Sequence, residues 1–238
     1  HLCLIAGFSP ERISYTSNNI TNDELRYALK KNVIINLDHS SQLLRLIKIA
    51  DELGINPKSI SFRVNPEIGG GYHDHCITAG RQVKFGILEE DIVQAYKLAI
   101  EHGFTNFGIH MHIGSGILEI LTFKKSAEKF LSIIKKVRQE TNIQFDFINF
   151  GGGLGIPYKP SEYPLNLNEF SATILSIYKS AIADMGINNP TFCIEPGRFL
   201  TAEASIILIE VNTIKKTRDK NFIGTNGGFN ILIRPTMY

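Results

Sequence analysis

Four short stretches bring together residue types able to do chemistry. In HMHIGSG (110–116), His110 and His112 stand two apart, and on a strand that spacing sends both side chains to one side of the sheet. The pair reads either as metal ligands or as one histidine against a bound group and one in the core. A catalytic zinc needs further protein ligands, and for that role the sequence offers only HDH (73–75) and LDH (37–39). The glycines flanking Ser115 are more informative. At a strand–helix junction they leave backbone N–H groups and a hydroxyl open to an anion such as a phosphate. GGGLG (151–155) makes the same offer after another apolar run. Glycine gives up entropy and packing, so a run of it calls for a tight turn or a backbone that approaches something closely. EPGR (195–198) ends a further apolar run with Glu195 and Arg198. An acid buried there needs a partner. Either Arg198 pairs with it, or Glu195 faces a cationic ring nitrogen and Arg198 faces an anion. IRPTMY (233–238) adds Arg234 and Tyr238.

Two anion-suited glycine loops, a histidine at a strand end, a buried acid and spare arginines together suit pyridoxal 5'-phosphate (PLP). That cofactor needs a phosphate cradle, a group against its ring, and an acid that keeps the pyridine nitrogen protonated so that the ring withdraws electrons.

These stretches sit at the ends of short apolar runs. RISYT (12–16), VIINLD (33–38), SISFRVN (59–65), FGIHMHIG (107–114), FDFINFG (145–151) and TFCIEPG (191–197) read as strands. Helix-period segments lie between most of them, at 40–54, 89–103, 122–140 and 168–186, the first with Ser before it and Gly after. Alternation of this kind predicts a parallel sheet. Nearly every strand ends in a polar or glycine-rich cluster, which is where a (β/α) barrel carries its functional loops. An open doubly wound sheet, the alternative, concentrates its special residues at one or two loops. After Arg198 the pattern changes: ASIILIEVNTIKK and NFIGTNGGFNILIRP read as antiparallel strands. The expected organisation is therefore a barrel domain over 1–203 and the start of a β domain over 204–238. HLCLIAGFSPERI reads as the tail of a helix running into a turn and a strand, so the chain is expected to be an internal segment of a longer protein.

Composition excludes several classes. The 238 residues are 43% hydrophobic and 20% charged, with net charge +2, which gives no footprint for nucleic acid or an acidic membrane surface. TIKKTRDK (213–220) reads as a solvated turn. Three cysteines without metal-type spacing fit a reducing compartment better than a disulfide framework. No apolar run reaches the length of a membrane span.

In RVNPEIGGGYHDHCITAGRQVKFGI (63–87), HMHIGSG, FGGGLGIPY, EPGR and GFNILIRPTMY the chain resembles the fold-type III PLP-dependent decarboxylases, the family of the ornithine, diaminopimelate and arginine enzymes. The five motifs stand in the family's order, and RPxxY with NPE…TAG…KFG sits on the diaminopimelate side. The resemblance implies an alanine-racemase-like (β/α)8 TIM barrel, here without its first strands. It implies that His112 stacks on the cofactor ring, that Ser115, Gly152, Gly153 and the Gly197–Arg198 turn hold its phosphate, and that Glu195 pairs with its pyridine nitrogen. Arg198, Arg234 and Tyr238 match substrate-binding positions, while Lys84 matches a structural position at the barrel mouth. The Schiff-base lysine is expected upstream of His1, so no catalytic residue of that kind is expected in this chain. The activity implied for the intact enzyme is loss of CO2 from meso-diaminopimelate to give lysine, in a cytoplasmic homodimer with shared active sites. Arginines suit a substrate with a second carboxylate, which they bind in a bidentate manner.

Asn226 stands where the family usually has Asp. Three rivals remain: another amino-acid decarboxylase of the same fold (ornithine, arginine or carboxynorspermidine type), a non-catalytic regulator on that fold, and a metal-dependent barrel hydrolase using His110 and His112.

Overall fold

The computed structural model describes residues 1–234, Asp74 without its side chain. The chain divides into two compact units, His1–Phe199 and Leu200–Tyr238. The first opens with a short helix, α1 (Leu2–Ile5), followed by strand β1 (Ser14–Ser17) and helix α2 (Asn22–Lys31). Then come β2 (Ile34–Leu37), α3 (Ser40–Leu53), β3 (Ser59–Arg63), α4 (Glu89–Glu101), β4 (Asn106–His110), α5 (Ile120–Thr141), β5 (Phe147–Asn149), α6 (Leu167–Met185), β6 (Thr191–Cys193) and α7 (Gly197–Thr201). All six strands pair in parallel, each with the next in sequence. Parallel neighbours require a crossover, and helices α2 to α6 supply it. The fold is α/β, a curled partial TIM barrel.

Parallel register gives each face of this sheet a row of its own. Leu37, Phe62, Ile109, Ile148 and Phe192 lie side by side across five strands. All but Phe192 are buried against the helices. One residue further along, Arg63, His110, Asn149 and Cys193 form the next row. Because the side-chain period is two, that row faces the opposite, concave side, with Asp38 beside it at the end of β2. The core and the polar face are thus written in alternate letters of the same strands.

Local signals account for the helices. Thr21 and Glu24 close a capping box on α2, the Thr21 hydroxyl accepting from Glu24 N at 3.2 Å and the Glu24 carboxylate from Thr21 N at 2.8 Å. The segments expected from periodicity do not include this helix, although Leu25, Ala28 and Leu29 form a short buried stripe beneath its charged face. The N-cap of α3 is His39, whose ring accepts from Ser41 N, rather than a serine; Gly54 ends the helix at φ +64°, a left-handed position that glycine takes without steric cost. Tyr96 of α4, fully buried, is packed edge-on against Phe62 and Phe145, and its hydroxyl donates to the Gly108 carbonyl at 2.6 Å.

The second unit contains β7 (Val211–Lys216) and β8 (Asn221–Thr225), paired antiparallel. Thr213–Lys216, expected in a turn, belongs to β7, and only residues 217–220 turn. The apolar run 204–210 forms no strand. Asn226 Oδ1 accepts from Glu210 N at 2.9 Å while Asn226 N donates to the Glu210 carbonyl. The accepting oxygen is one that an aspartate also offers, so the amide keeps this local bond.

Candidate functional site

The concave row continues past the strand ends into the loops. Glu195, two residues beyond Cys193, has one carboxylate oxygen 3.3 Å from His110 Nε2 and accepts from Asn149 Nδ2 at 2.9 Å. Asn149 is itself fixed, its Oδ1 accepting from Gly151 N at 2.9 Å. Glu195 N donates to the Gly151 carbonyl at 2.8 Å, tying the acid's backbone to the glycine loop. Burial opposes ionisation of Glu195, but the hydrogen bonds from His110 and Asn149 and the nearby histidines outweigh it and hold the carboxyl at about 2. Its side chain remains 40% exposed, open to the concave side.

His110 is fully enclosed, and burial pushes its pKa below the usual imidazole value against the pull of Glu195. His112 lies one step further out and accepts from Gly152 N at Nδ1, 3.0 Å away. Burial, then the charge of Arg63, lowers it to about 4, so both rings are neutral at pH 7. The two histidines do share a face. Each is engaged by a protein group, and no cluster of three or more metal-ligating side chains exists among the described residues.

Arg63 is the buried cation of the row. It donates to the His112 carbonyl at 3.2 Å and the Thr78 carbonyl at 3.4 Å, and lies 4.8 Å from the Phe85 ring centroid. Burial lowers its pKa, with Asp38 and Glu195 pulling the other way. Asp38 in turn accepts from Gln42 Nε2 at 2.8 Å, and burial raises its pKa. Arg63, Asp38 and Asn149 were not singled out from the sequence. The available signal was a charged or amide residue closing an apolar strand: SISFR, IINLD, FIN.

The glycines have steric causes. A Cβ on Gly151, at φ +68°, would lie 2.2 Å from the Met111 carbonyl oxygen, and one on Gly152 would lie 2.2 Å from the Glu195 carbonyl oxygen. The loop after β5 is therefore wedged between the loops after β4 and β6. Gly114 is pressed in the same way by the glycines at 69–71: a Cβ there would meet the Gly70 carbonyl at 1.7 Å. Residues 70–78 pair onto 113–115, with Gly70 N donating to the Ile113 carbonyl and Tyr72 N to the Ser115 carbonyl.

Arg198 does not pair with Glu195 among the described residues; its guanidinium swings toward the Gly114–Gly116 turn. There its Nη1 is buried without a hydrogen-bond partner among the described residues, and the guanidinium lies 5.8 Å from the Tyr158 ring centroid. Ser115, half-buried, sits in the same turn. The structure thus brings together His112, Ser115, Gly152, Gly153, Glu195, Gly197 and Arg198 at the carboxyl ends of β4, β5 and β6. Arg234 belongs to the second unit, and Tyr238 lies outside the described residues. Lys84 stacks on its neighbour Phe85, 5.4 Å from the ring centroid.

Comparison with known proteins extends this geometry. A diaminopimelate decarboxylase of Methanothermobacter thermautotrophicus is 48% identical over all 238 residues, which cover 54% of its length. One from Archaeoglobus fulgidus is 33% identical over the whole chain and 56% of its own. The crystal structure of a Helicobacter pylori diaminopimelate decarboxylase complexed with L-lysine superposes with a TM-score of 0.88 at 29% identity, over 99% of this chain and 57% of that one. The chain spans about half the length of the relatives it matches. Residues 1–202 match the family model described as pyridoxal-dependent decarboxylase, pyridoxal binding domain. With that match over most of its length, the chain belongs to the pyridoxal-dependent decarboxylases.

Proposed function

We propose that the protein to which this chain belongs is a PLP-dependent carboxy-lyase that converts meso-diaminopimelate to lysine and CO2. The observation that carries the reading is Glu195, an exposed carboxylate kept ionised at a strand end by two neutral donors, His110 and Asn149. The diaminopimelate substrate rests on the relatives' names, which hold across the whole chain.

The site fits the cofactor on its own chemistry. Arg198 Nη1 is a buried cationic donor with no acceptor among the described residues, beside a turn whose glycines leave no side chain in the way. PLP, when bound, supplies the electron sink for the pair left behind by the departing carboxylate. Glu195, ionised well below neutral pH, holds a proton on the ring nitrogen. His112, neutral and fixed by Gly152 N–H, presents its ring face without competing for that proton. Ser115, Gly152, Gly153 and Gly197 form the phosphate's surroundings. Gly152 contributes by its lack of a side chain, since its N–H is taken by His112. Arg198, Arg234 and Tyr238 are assigned to the substrate's carboxylates, with Arg198 reaching the phosphate side as well.

A homodimer with shared active sites and a cytoplasmic setting complete the proposal, the latter supported by three free cysteines. No helix among the described residues is long and apolar enough to cross a membrane. The test is CO2 release by the complete protein with PLP from meso-diaminopimelate, ornithine, arginine and lysine side by side. Turnover of diaminopimelate alone is expected. Turnover of ornithine or arginine instead would keep the cofactor and overturn the substrate. Bound PLP with no turnover of any would favour a regulator.

A further inference from the structure

Among the residues of the concave row, His110 is the most enclosed, and the proposed chemistry uses it only as a donor to Glu195. Its Nε2 lies 3.3 Å and 3.4 Å from the two oxygens of Glu195. Its Nδ1 is buried with no hydrogen-bond partner among the described residues.

These two observations fix the tautomer. A proton on Nδ1 would bury an N–H donor with no acceptor and turn the Nε2 lone pair against a carboxylate. Each of these is unfavourable. A proton on Nε2 leaves only a lone pair facing Nδ1's surroundings and directs the N–H at Glu195. A doubly protonated ring would add a buried unpaired donor on the Nδ1 side and a second cation near Arg63, which faces the same space from β3. The charged and titratable groups around the ring are Glu195, Arg63 and His112, with Asp38 on the far side of Arg63.

We propose that His110 is a positioning residue: its neutral imidazole, locked as the Nε2–H tautomer, aims and holds the Glu195 carboxylate so that this acid keeps the cofactor's ring nitrogen protonated. The inference rests on the PLP reading and deepens it. A neutral donor is the appropriate partner here. It stabilises the carboxylate without cancelling its charge, which stays available to the ring. A permanent cation in direct contact would compete with the ring nitrogen for the same oxygens. Asn149, the other donor to Glu195, is neutral for the same reason, and its amide is oriented by Gly151 N.

The experiment uses the complete protein loaded with PLP isotopically labelled at the ring nitrogen, observed by nitrogen NMR. Wild type is expected to show a protonated ring nitrogen, and selectively labelled histidine is expected to show His110 as neutral Nε2–H. His110→Met should shift the ring nitrogen toward its unprotonated resonance at neutral pH and weaken PLP binding roughly tenfold, the loss of one charge-assisted hydrogen bond. His110→Gln, which restores an N–H donor on a side chain of similar reach, should recover most of both. A cationic or Nδ1–H His110 in the loaded wild type would overturn the proposal without any variant needing to fold. So would a His110→Met protein whose ring nitrogen and PLP affinity match wild type. A wild type that binds no PLP would instead overturn the cofactor reading itself, which keeps the two failures apart.

Discussion

Burial keeps the two histidines of the site neutral, while hydrogen bonds keep Glu195 ionised against it. His112 titrates at about 4 in the folded chain, against about 6.5 in an unfolded one. The unfolded state therefore binds more protons between those values, and stability is full above about pH 6.5 and falls as pH drops toward 4. The loss attributable to His112 is on the order of 3 kcal/mol. His110 is lowered too and acts in the same direction. Chemical denaturation across that range should show the slope, and His112→Gln should flatten it. An unchanged slope would show that the ring is not buried neutral. Glu195 has the opposite logic: its depressed pKa contributes stability that is lost only as pH falls below about 4 toward 2. For Arg198→Met, removing a guanidinium whose Nη1 has no hydrogen-bond partner among the described residues should weaken PLP binding by roughly 10- to 100-fold, measured by fluorescence titration of the complete protein. The residues at motif positions, Glu195 and His112 among them, were legible because glycine-rich strand ends mark them. Arg63 and Asn149 were not, since a single polar residue closing a strand looks like any strand terminus until register places it in a row.

At the level of elements, alternation and capping carried most of the information. The six strands and the helices at 40, 89, 120 and 167 follow from period and punctuation. What failed did so for local reasons. Helix α2 carries a short apolar stripe, Leu25, Ala28 and Leu29, within an otherwise polar segment, and a capping box at its start; Thr21→Ala should cost about 1 kcal/mol in equilibrium unfolding. The run 204–210 has strand composition, yet pairing in that unit starts only at Val211. Composition specifies a preference, whereas a ladder needs a partner. The glycine loop after β5 was read as an approach to a phosphate, and the nearer constraint is packing between neighbouring loops. Gly152→Ala should therefore lower stability by about 1–3 kcal/mol even without cofactor, because the new methyl must displace the Glu195 backbone. A variant as stable as wild type but poor in PLP binding would return the constraint to the phosphate.

At the level of the whole molecule, the two units differ in how they are built. The first has a continuous apolar core beneath its parallel sheet. In the second, every residue of β7 is exposed. The stretch from Ala202 to Glu210 that leads into β7 is irregular and exposed. Limited proteolysis of the chain should cut there before it cuts any of the six parallel strands, as read by mass spectrometry of the first fragments. Early cuts within β2 to β5 would contradict that ordering. The alternating rows of the first unit have a longer-range consequence. A strand displaced by one residue would send Phe62 or Ile109 onto the polar concave face and Arg63 or His110 into the hydrophobic layer, so misaligned pairings are disfavoured at both faces at once. Correctly aligned, the two faces are separate inheritances. Substitution at 63, 110, 149 or 195 alters the polar row and leaves the apolar row of Phe62, Ile109 and Ile148 in place, so the two faces of one strand can vary separately.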